Sequence, residues 1–459
     1  MNGVMEAAAD IRPKSGDGSS YLDAAFGIGA RLLRSAVWHG NICNWFGPVF
    51  EEHAGSHQLA CGTLGPGLYD GTAGIALFLG YLGRELADPA FKRVAHAAIG
   101  HALARAKDIP EGIKYGFYTG EVGIGYAAIE VGRCLEDPTL VTRGFELVRT
   151  AAEADLDGNA VIDVMSGSAG VIPVLLRLFA DSGEAWLMDA ARKRGDILLA
   201  RASRDERGLS WDVLGELAGT MDLSRLSERL ADIKAGDRSR PNLIGFSHGA
   251  GGIAWALLEL GAASSEARMQ DAARDAFAYE DSWFDAANDR WPDLRLHDAG
   301  NDVTSPGPIA WCHGAVGIGL ARMRAWRITA DERYRGDAVA ALRMTARSLL
   351  NGNPASANYS LCHGLAGDAE LFLTWAELTG DAEARALVDT VAVRGIQDVV
   401  REHRPWPSGI DGAPESPGLM LGLAGTGYFY LRAARPARIP SVLLVGPDSK
   451  PRPAGTAYG

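Results

Sequence analysis

The stretch "GTAGIALFLGYL" at residues 71–82 joins a Gly-x-x-Gly motif directly to a run of apolar residues. A helix that is apolar on every side is typical of a fully buried position. The glycines suit a tight turn that leads into such a helix, because glycine adopts positive φ and lets neighbouring backbones approach closely. The stretch therefore predicts a buried helix that begins at a glycine turn.

The same arrangement occurs seven times along the chain. The first glycine of each copy stands at Gly71, Gly120, Gly167, Gly249, Gly314, Gly364 and Gly422. The copies are separated by 47 to 82 residues, and each one precedes an apolar run. An internal repeat of this kind is the signature of a stacked or toroidal helical array.

Segments with charge on one face lie between the apolar runs. Their i, i+3, i+4 apolar spacing predicts half-buried helices, at residues 22–36, 89–107, 138–154, 185–203, 266–285, 331–350 and 382–403. Seven amphipathic helices outside seven apolar ones predict an all-α fold, a closed α/α toroid with seven inner and seven outer helices. The alternative is an open α-solenoid, whose repeats usually vary less in spacing and keep an amphipathic second helix.

Composition limits the class of protein and its partners. The chain has 459 residues, 47% of them hydrophobic and 22% charged, which is ordinary for a globular protein with a large core. The net charge of -12, without a basic cluster, argues against a nucleic acid partner. No run of about 18 apolar residues predicts a membrane span, and the first residues lack a signal-peptide pattern. Five cysteines, an odd number, favour a reducing cytoplasm over disulfides.

The predicted domain organisation is simple. Residues 1–18 are expected to be a disordered segment, residues 19–436 a single toroid domain, and residues 437–459 a Pro/Gly-rich tail. Two long polar gaps, one after Gly170 and one before Cys312, are expected to lie over the mouth of the toroid, where function tends to reside.

The residue before each first glycine should face that mouth. These residues are Asp70, Thr119, Ser166, His248, His313, His363 and Leu421. Two of the histidines belong to Cys-His-Gly triplets, and a shuffled chain of this composition would contain on the order of 0.01 such triplets. Cysteine and histidine together are the ligands of zinc.

Cys312, Cys362 and His363 are therefore candidate zinc ligands on adjacent turns, with His313 as a possible fourth. Two other interpretations stay open at this point: a structural zinc site closed by all four residues, or buried thiols beside core histidines. His248 is a candidate general acid or base, because histidine titrates near neutrality. Asp163 would orient it, although Asp163 could equally be a turn or helix-cap carboxylate.

These residues resemble the lanthionine synthetase C-like cyclases. The resemblance runs from "WHGNICNWFG" at residue 38 through "DVMSGSAGV", "SHGAGGIAWAL", "WCHGAVGIGLAR" and "LCHGLAGDAELFL" to "GLMLGLAGTGYFY". These sequence motifs are most similar to those of the cyclase domains of bifunctional lanthipeptide synthetases. The resemblance implies a toroid of seven inner and seven outer helices, in agreement with the repeat.

For individual residues, the resemblance implies Cys312, Cys362 and His363 as zinc ligands and His248 with Asp163 as the acid–base pair. His313 matches a position that the family does not use as a ligand. One position departs from the pattern: some free-standing cyclases carry an arginine four residues before the first zinc cysteine, where this chain has Pro308.

The implied function is that of a zinc-dependent enzyme that adds peptide cysteine thiolates to dehydroalanine or dehydrobutyrine and so forms lanthionine or methyllanthionine rings. The implied partners are a dehydrated precursor peptide and, in addition, a separate dehydratase or kinase/lyase enzyme. Two alternatives remain. The protein could add an external thiol such as glutathione to dehydroamino acids, or it could be a non-catalytic scaffold that binds a peptide or partner.

Overall fold

A computed structural model describes residues 18–53, 56–154, 156, 161–220, 240–296, 307–352, 357–413 and 415–447. The predicted disordered segment, residues 1–18, lies outside these ranges except for Gly18. Parts of both polar gaps (221–239 and 297–306) and the end of the predicted tail (448–459) also lie outside the described residues.

Fifteen α-helices and six short strands make up the regular structure of the described residues. The helices are α1 (Gly18–Ser35), α2 (Thr72–Glu85), α3 (Pro89–Arg105), α4 (Glu121–Leu135), α5 (Pro138–Glu153), α6 (Ser168–Ser182), α7 (Ala185–Arg201), α8 (Val213–Thr220), α9 (Ala250–Ser264), α10 (Ala267–Asp281), α11 (Ala315–Thr329), α12 (Glu332–Asn351), α13 (Leu365–Thr379), α14 (Ala382–Gly395) and α15 (Leu423–Ala434). The strands are β1 (Val37–His39), β2 (Ile42–Asn44), β3 (Phe46–His53), β4 (Ser56–Thr63), β5 (Ser203–Asp205) and β6 (Gly208–Ser210).

Seven inner helices follow the seven glycine motifs, as the repeat predicts. They are α2, α4, α6, α9, α11, α13 and α15, and each begins one residue after the first glycine of its motif. Most of their residues are buried; in α2, every residue from Thr72 to Gly83 is. We call the segment that leads into each inner helix a turn and number the turns from 1, which contains Asp70, to 7, which contains Leu421.

Seven outer helices surround them: α1, α3, α5, α7, α10, α12 and α14. Aspartates begin four of these helices, because their carboxylates accept backbone N–H bonds from the first helical residues. These N-caps are Asp88, Asp137, Asp331 and Asp381. Helix α14 continues as one π-helical segment, Ile396–Arg401. The short helix α8 lies outside the repeat.

Each inner helix packs against the outer helix that follows it, and the last inner helix, α15, packs against the first outer helix, α1. Helix α15 also packs against the first inner helix, α2. The two ends of the repeat therefore meet, and the array closes into a toroid.

A circuit of backbone hydrogen bonds links all seven turns. Its N···O bonds run from Tyr69 to Tyr118 (2.8 Å), Tyr118 to Met165 (3.1 Å), Val164 to Ser247 (3.0 Å), Ser247 to Cys312 (3.0 Å), Trp311 to Cys362 (2.8 Å), Cys362 to Met420 (3.1 Å) and Met420 back to Tyr69 (2.8 Å). An open solenoid could not return to its first turn, so the closed toroid is confirmed. The circuit also gathers the turns at one end, where the sequence places the functional residues.

Three antiparallel hairpins, β1–β2, β3–β4 and β5–β6, were not predicted by the helical repeat. The longest hairpin, β3–β4, pairs Phe46 with Thr63 at its base and His53 with Ser56 at its tip. The first two hairpins precede α2, and the third follows α7, so all three lie in connections and leave the helical repeat intact.

Part of the segment predicted as a tail packs inside the toroid. Residues 439–445 include the buried side chains of Ile439, Leu443 and Val445. The Tyr118 hydroxyl donates to the Val442 carbonyl at 2.8 Å, and the Trp311 indole N–H donates to the Leu443 carbonyl at 3.0 Å. Tyr118 and Trp311 come from turns 2 and 5 and contact each other with ring centroids 4.9 Å apart. Residues 439–445 thus contribute to the centre of the toroid, although the sequence groups them with the tail that begins at residue 437.

Along the described residues, no helix combines the length and the apolar content that crossing a bilayer requires.

Candidate metal centre

Turns 5 and 6 bring the three predicted metal ligands together. The backbone bond from Trp311 to Cys362 joins these turns. The Cys312 and Cys362 sulfurs and a His363 ring nitrogen all lie within 4.8 Å of one another. Two thiolates that share a tetrahedral zinc, each about 2.3 Å from it, stand roughly 4 Å apart. The cluster therefore has the spacing of a zinc site.

The hydrogen bonding of His363 leaves one ring nitrogen available. Its Nε2 lies 2.8 Å from the Gly409 carbonyl oxygen, so Nε2–H donates and Nδ1 keeps its lone pair. Histidines that bind metals commonly donate their second N–H to a carbonyl or carboxylate in this way. A Cβ at position 409 would lie 2.9 Å from Nε2, and glycine permits this close approach. The donor set and its support fit a zinc ion.

The two thiols have unequal acidities. A hydrogen bond from Cys362 lowers the pKa of Cys312 well below its usual value, against the effect of burial, and His363 and Arg295 lower it further. The same bond, together with burial, raises the pKa of Cys362. Burial acts to lower the pKa of His363, but the hydrogen bond and charge of Cys312, together with the bond to the Gly409 carbonyl, leave that pKa raised. The cluster thus favours a thiolate at Cys312, and a thiolate is the form of cysteine that binds metals.

His313 lies outside the group of potential metal ligands in the part of the chain that the structure describes. Its imidazole stacks on that of His248 instead, with ring centroids 5.4 Å apart and an interplanar angle of 29°. Burial, with the charges of Arg295 and His248, holds the pKa of His313 well below its usual value. Among the described residues the candidate ligands thus number three, which is the number typical of catalytic rather than structural zinc sites.

His248 and Asp163 form a close pair beside this cluster. His248 Nδ1 lies 2.5 Å from Asp163 Oδ2, and Asp163 is completely buried. The other carboxylate oxygen of Asp163 accepts the Ser166 backbone N–H at 2.7 Å. Asp163 therefore acts both as a turn carboxylate and as the partner of His248. Because Nδ1 is engaged by Asp163, Nε2 is the ring nitrogen that this pair leaves available.

Turn 4 carries His248 and lies directly against turn 5. The Ser247 N–H donates to the Cys312 carbonyl, which places His248 next to the metal turns. The short helix α8 also approaches this pair: burial raises the pKa of Glu216 to about 7, and the charge of Asp163 contributes to the rise.

Two residues that contact or influence the cluster, Tyr69 and Arg295, were not predicted from the sequence. The Tyr69 hydroxyl forms a hydrogen bond with Cys362. A signal for Tyr69 exists in the sequence, because it stands two residues before a first glycine, as Cys312 and Cys362 do. The second residue is Arg295, whose charge acts on both thiols. Arg295 lies in the polar gap before Cys312, where no local pattern marks it.

The guanidinium of Arg295 is held in place by Asp293. Its Nε and Nη2 donate to the two carboxylate oxygens at 2.9 and 2.7 Å. Pro308, by contrast, serves the backbone of turn 5, because its carbonyl accepts the Ala315 N–H at 3.2 Å. A positive charge thus reaches the thiols from Arg295 and not from position 308.

A family model and several solved structures match this chain. A family model described as "Lanthionine synthetase C-like protein" matches residues 62–444. The solved structure of a nisin cyclase superposes with a TM-score of 0.61 at 16% identity, covering 80% of this chain and 88% of that one. A GH76 α-mannanase from Bacteroides thetaiotaomicron gives a TM-score of 0.43 at 10% identity, covering 92% of this chain and 97% of that one. A sugar epimerase from a ruminal bacterium gives 0.45 at 11% identity, covering 91% and 98%.

Proposed function

The chain belongs to the lanthionine synthetase C-like family, and from that premise we propose that it is a zinc-dependent peptide cyclase that forms lanthionine and methyllanthionine rings. The observation that carries the proposal is the convergence of Cys312, Cys362 and His363 within 4.8 Å of one another. The acid–base pair of His248 and Asp163 supports the proposal, because it lies on the neighbouring turn.

Cys312, Cys362 and His363 would hold the zinc ion, with Gly409 fixing the His363 imidazole through Nε2. Zinc bound there would lower the pKa of a substrate cysteine thiol from about 8.5 and keep it as a thiolate at neutral pH. Tyr69 donates a hydrogen bond to Cys362 and so limits the charge on that sulfur. The protein's own residues then direct the carbon chemistry.

The substrate thiolate adds to the β-carbon of a dehydroalanine or dehydrobutyrine in the same peptide. A C–S bond forms, the Cα=Cβ π bond breaks, and its electron pair moves onto the α-carbon and the adjoining carbonyl oxygen. Arg295, fixed by Asp293, supplies a positive charge for that developing oxyanion. Holding both reacting ends in one mouth removes most of the entropic barrier to ring closure.

His248 then delivers a proton from Nε2 to the α-carbon. Asp163 holds Nδ1–H and stabilises the protonated imidazole before that transfer. The proton lost by the substrate thiol balances the one gained at the α-carbon, so that the product is an isomer of the substrate peptide. The stack of His313 on His248 limits rotation of the catalytic imidazole.

The proposed partners follow from this chemistry. The substrate is a peptide that already contains dehydroamino acids, so a dehydratase or kinase/lyase activity has to act before the cyclase. Zinc is the proposed cofactor, because the donor set consists of two thiols and one imidazole. No disulfide joins any of the five cysteines, and we propose a cytoplasmic site of action, where thiols stay reduced.

The decisive experiment counts free thiols, because cyclisation does not change the mass of the peptide. Zinc-loaded protein is incubated with a dehydrated, cysteine-containing precursor peptide, and the product is alkylated and weighed. We expect alkylation to be lost with the wild type and retained with Cys362→Ala. Cys61→Ala is the matched control, because Cys61 is exposed and lies outside the metal cluster.

Unchanged thiol counts with the wild type would refute the cyclase proposal. Adding glutathione to the same reaction separates the alternatives. A mass gain of one glutathione per dehydroamino acid, without ring closure, would indicate addition of an external thiol. Full zinc occupancy with neither product would indicate a binding scaffold.

A further inference from the structure

Turn 4, which carries His248, is held by a side chain from an outer helix. The backbone N–H of Gly245 donates to Oε1 of Glu280, on α10, at 2.7 Å, and this contact is buried. In turns 2 and 6 the equivalent amide bonds to a close neighbour along the chain: Gly116 donates to the Ile113 carbonyl and Ser360 to the Asn358 side chain. Turn 4 follows one of the two long polar gaps, and Glu280 ties it to a rigid helix.

The position of Gly245 makes this bond relevant to the metal site. Its φ of +100° is in the region that favours glycine. A Cβ placed there would lie 3.5 Å from the His313 Cα and 3.6 Å from the Cys312 carbonyl oxygen. The backbone that Glu280 holds therefore lies directly against the turn that carries Cys312.

The sequence contains a matching adaptation at Gly251. The third residue of the Gly-x-x-Gly motif is alanine or valine in the other six copies: Ala73, Val122, Ala169, Val316, Ala366 and Ala424. Only the copy in α9 has glycine there. A Cβ at Gly251 would lie 2.4 and 2.5 Å from the two carboxylate oxygens of Glu280. Glycine at this position makes room for the carboxylate.

An ion cluster fixes the other side of Glu280. Its Oε2 lies 3.0 Å from Arg322 Nη1, and both side chains are completely buried. Arg322, on α11, also pairs with Asp281 at 2.6 Å and Asp337 at 3.2 Å, and its guanidinium lies 4.1 Å above the Phe277 ring. Glu280 is therefore held on one side by the Gly245 amide and on the other by Arg322, and loss of its side chain would take this partner from the buried Gly245 N–H.

We propose that Glu280 is a positioning residue for the cyclase reaction. Its bond to the Gly245 amide sets the distance of His248 from the metal turn, and glycine at position 251 leaves room for its carboxylate. The inference rests on the proposed function. A misplacement of about 1 Å at a proton donor can cost 100-fold in rate. Loss of this contact should therefore slow the proton transfer without weakening zinc or peptide binding.

The test compares Glu280→Ala, Glu280→Gln, Gly251→Ala and the double variant Glu280→Ala/Gly251→Ala in the thiol assay. Glutamine keeps an oxygen for the Gly245 N–H, so we expect kcat within about threefold of wild type. We expect kcat to fall about 10- to 100-fold in Glu280→Ala and in Gly251→Ala, with KM and zinc content unchanged. The double variant should be no slower than either single variant, because both remove one interaction. Ala366→Gly is the control at the same motif position of another helix.

A second measurement needs no turnover. Diethyl pyrocarbonate modifies exposed imidazole nitrogens, and mass spectrometry of peptides reports the rate at His248. We expect this rate to change in Glu280→Ala and Gly251→Ala and to stay at the wild-type value in Glu280→Gln. Unchanged rates in the first two variants would overturn the inference, whether or not the wild type is a cyclase. Inactive wild-type protein would refute only the proposed function. A fall in zinc content and a rise in KM that accompany the fall in kcat would show a general structural role and would also overturn the inference.

Discussion

At the scale of single residues, several side chains of the site occupy the same position of the repeat, two residues before the first glycine. The residue two before the first glycine takes part in the backbone circuit in every turn, and in turns 1, 5 and 6 this residue is Tyr69, Cys312 and Cys362. The closure of the toroid brings these three positions together from distant parts of the sequence. The following residue of turn 6, His363, supplies the third ligand, whereas His313 of turn 5 stacks on His248.

The different roles of His313 and His363 predict different effects on zinc affinity. His363→Ala removes a ligand, so its zinc dissociation constant should rise more than about 100-fold. His313→Ala should change it by less than about threefold, because His313 lies outside the ligand group. Competition with a chromogenic chelator measures both values, with the exposed His39→Ala as control. Equal losses in the two variants would identify His313 as a fourth ligand.

Replacing Arg295 is expected to lower the rate of the reaction and to leave the zinc content unchanged. If its charge stabilises the oxyanion, Arg295→Ala should lower kcat about 100-fold at unchanged zinc occupancy, and Arg295→Lys should recover part of the loss. Arg290→Ala is a matched control, because Arg290 lies in the same polar gap and pairs with Asp285. An unaltered kcat in Arg295→Ala would remove this residue from the proposed mechanism.

Candidate site residues with a repeated local pattern could be predicted from the sequence, whereas those that depend on contacts between distant segments could not. Cys312, Cys362 and His363 are marked by the duplicated triplet, and Asp163 and His248 by their places before the glycines. The charge of Arg295 acts on the thiols of Cys312 and Cys362, which stand 17 and 67 residues further along the chain. No spacing rule connects Arg295 to turn 6. The pairing of His363 with Gly409 likewise depends on a loop 46 residues away.

At the scale of elements, the outer helices were predictable because their ends carry local signals. The predicted helix 138–154 corresponds to Pro138–Glu153, where Asp137 caps the helix and proline occupies its first position. The hairpins were not predictable from the repeat. Strands of three to eight residues in the connections gain their partners only through cross-strand pairing.

Helix α13 contains one residue that departs from the inner-helix pattern. Asp368 is 8% exposed and stands where five of the other six inner helices have an aliphatic residue, namely Ile75, Ile124, Val171, Ile253 and Ile318, and the sixth has Thr426. Burial raises the pKa of Asp368 to about 8. The unfolded value is about 3.9, so the folded state favours the protonated form. Its contribution to stability is complete below about pH 4 and is lost as the pH rises through about 8.

Asp368→Asn should therefore stabilise the protein by an amount that grows with pH. We expect little difference from wild type near pH 4 to 5 and a gain in the free energy of unfolding of a few kcal/mol at pH 9. Urea unfolding at several pH values measures this gain. The exposed Asp271→Asn should show no such trend. A gain that is the same at pH 5 and pH 9 would contradict the assignment of Asp368 as a buried neutral acid.

At the scale of the whole molecule, the toroid is closed by contacts between residues far apart in sequence. Helix α1 pairs with α15, and residues 439–445 contact the aromatic residues of turns 2 and 5. The repeat predicted the closure, because its copies are unevenly spaced and its second helices are apolar on every side, unlike those of most open solenoids. It did not predict that residues 439–445, which have no helical periodicity, pack against the aromatic residues of turns 2 and 5.

Truncation tests the contribution of that segment. A chain that ends at Arg438 loses the buried Ile439 and Leu443 side chains, and we expect its melting temperature to fall by about 5 °C or more. A chain that ends at Pro447 keeps all of these contacts and is the control. Circular dichroism follows both transitions. Equal melting temperatures would show that residues 439–445 do not stabilise the toroid.

The central claim is that two thiolates and one imidazole, brought together by closure of the helical array, hold a single zinc ion with a vacant position. X-ray absorption at the zinc edge of the purified protein tests this claim most directly. The account predicts two sulfur scatterers at about 2.3 Å and two nitrogen or oxygen scatterers at about 2.0 Å, with a third sulfur when the substrate peptide is added. A bound zinc with no sulfur neighbours, or with the same neighbours in Cys362→Ala, would contradict it.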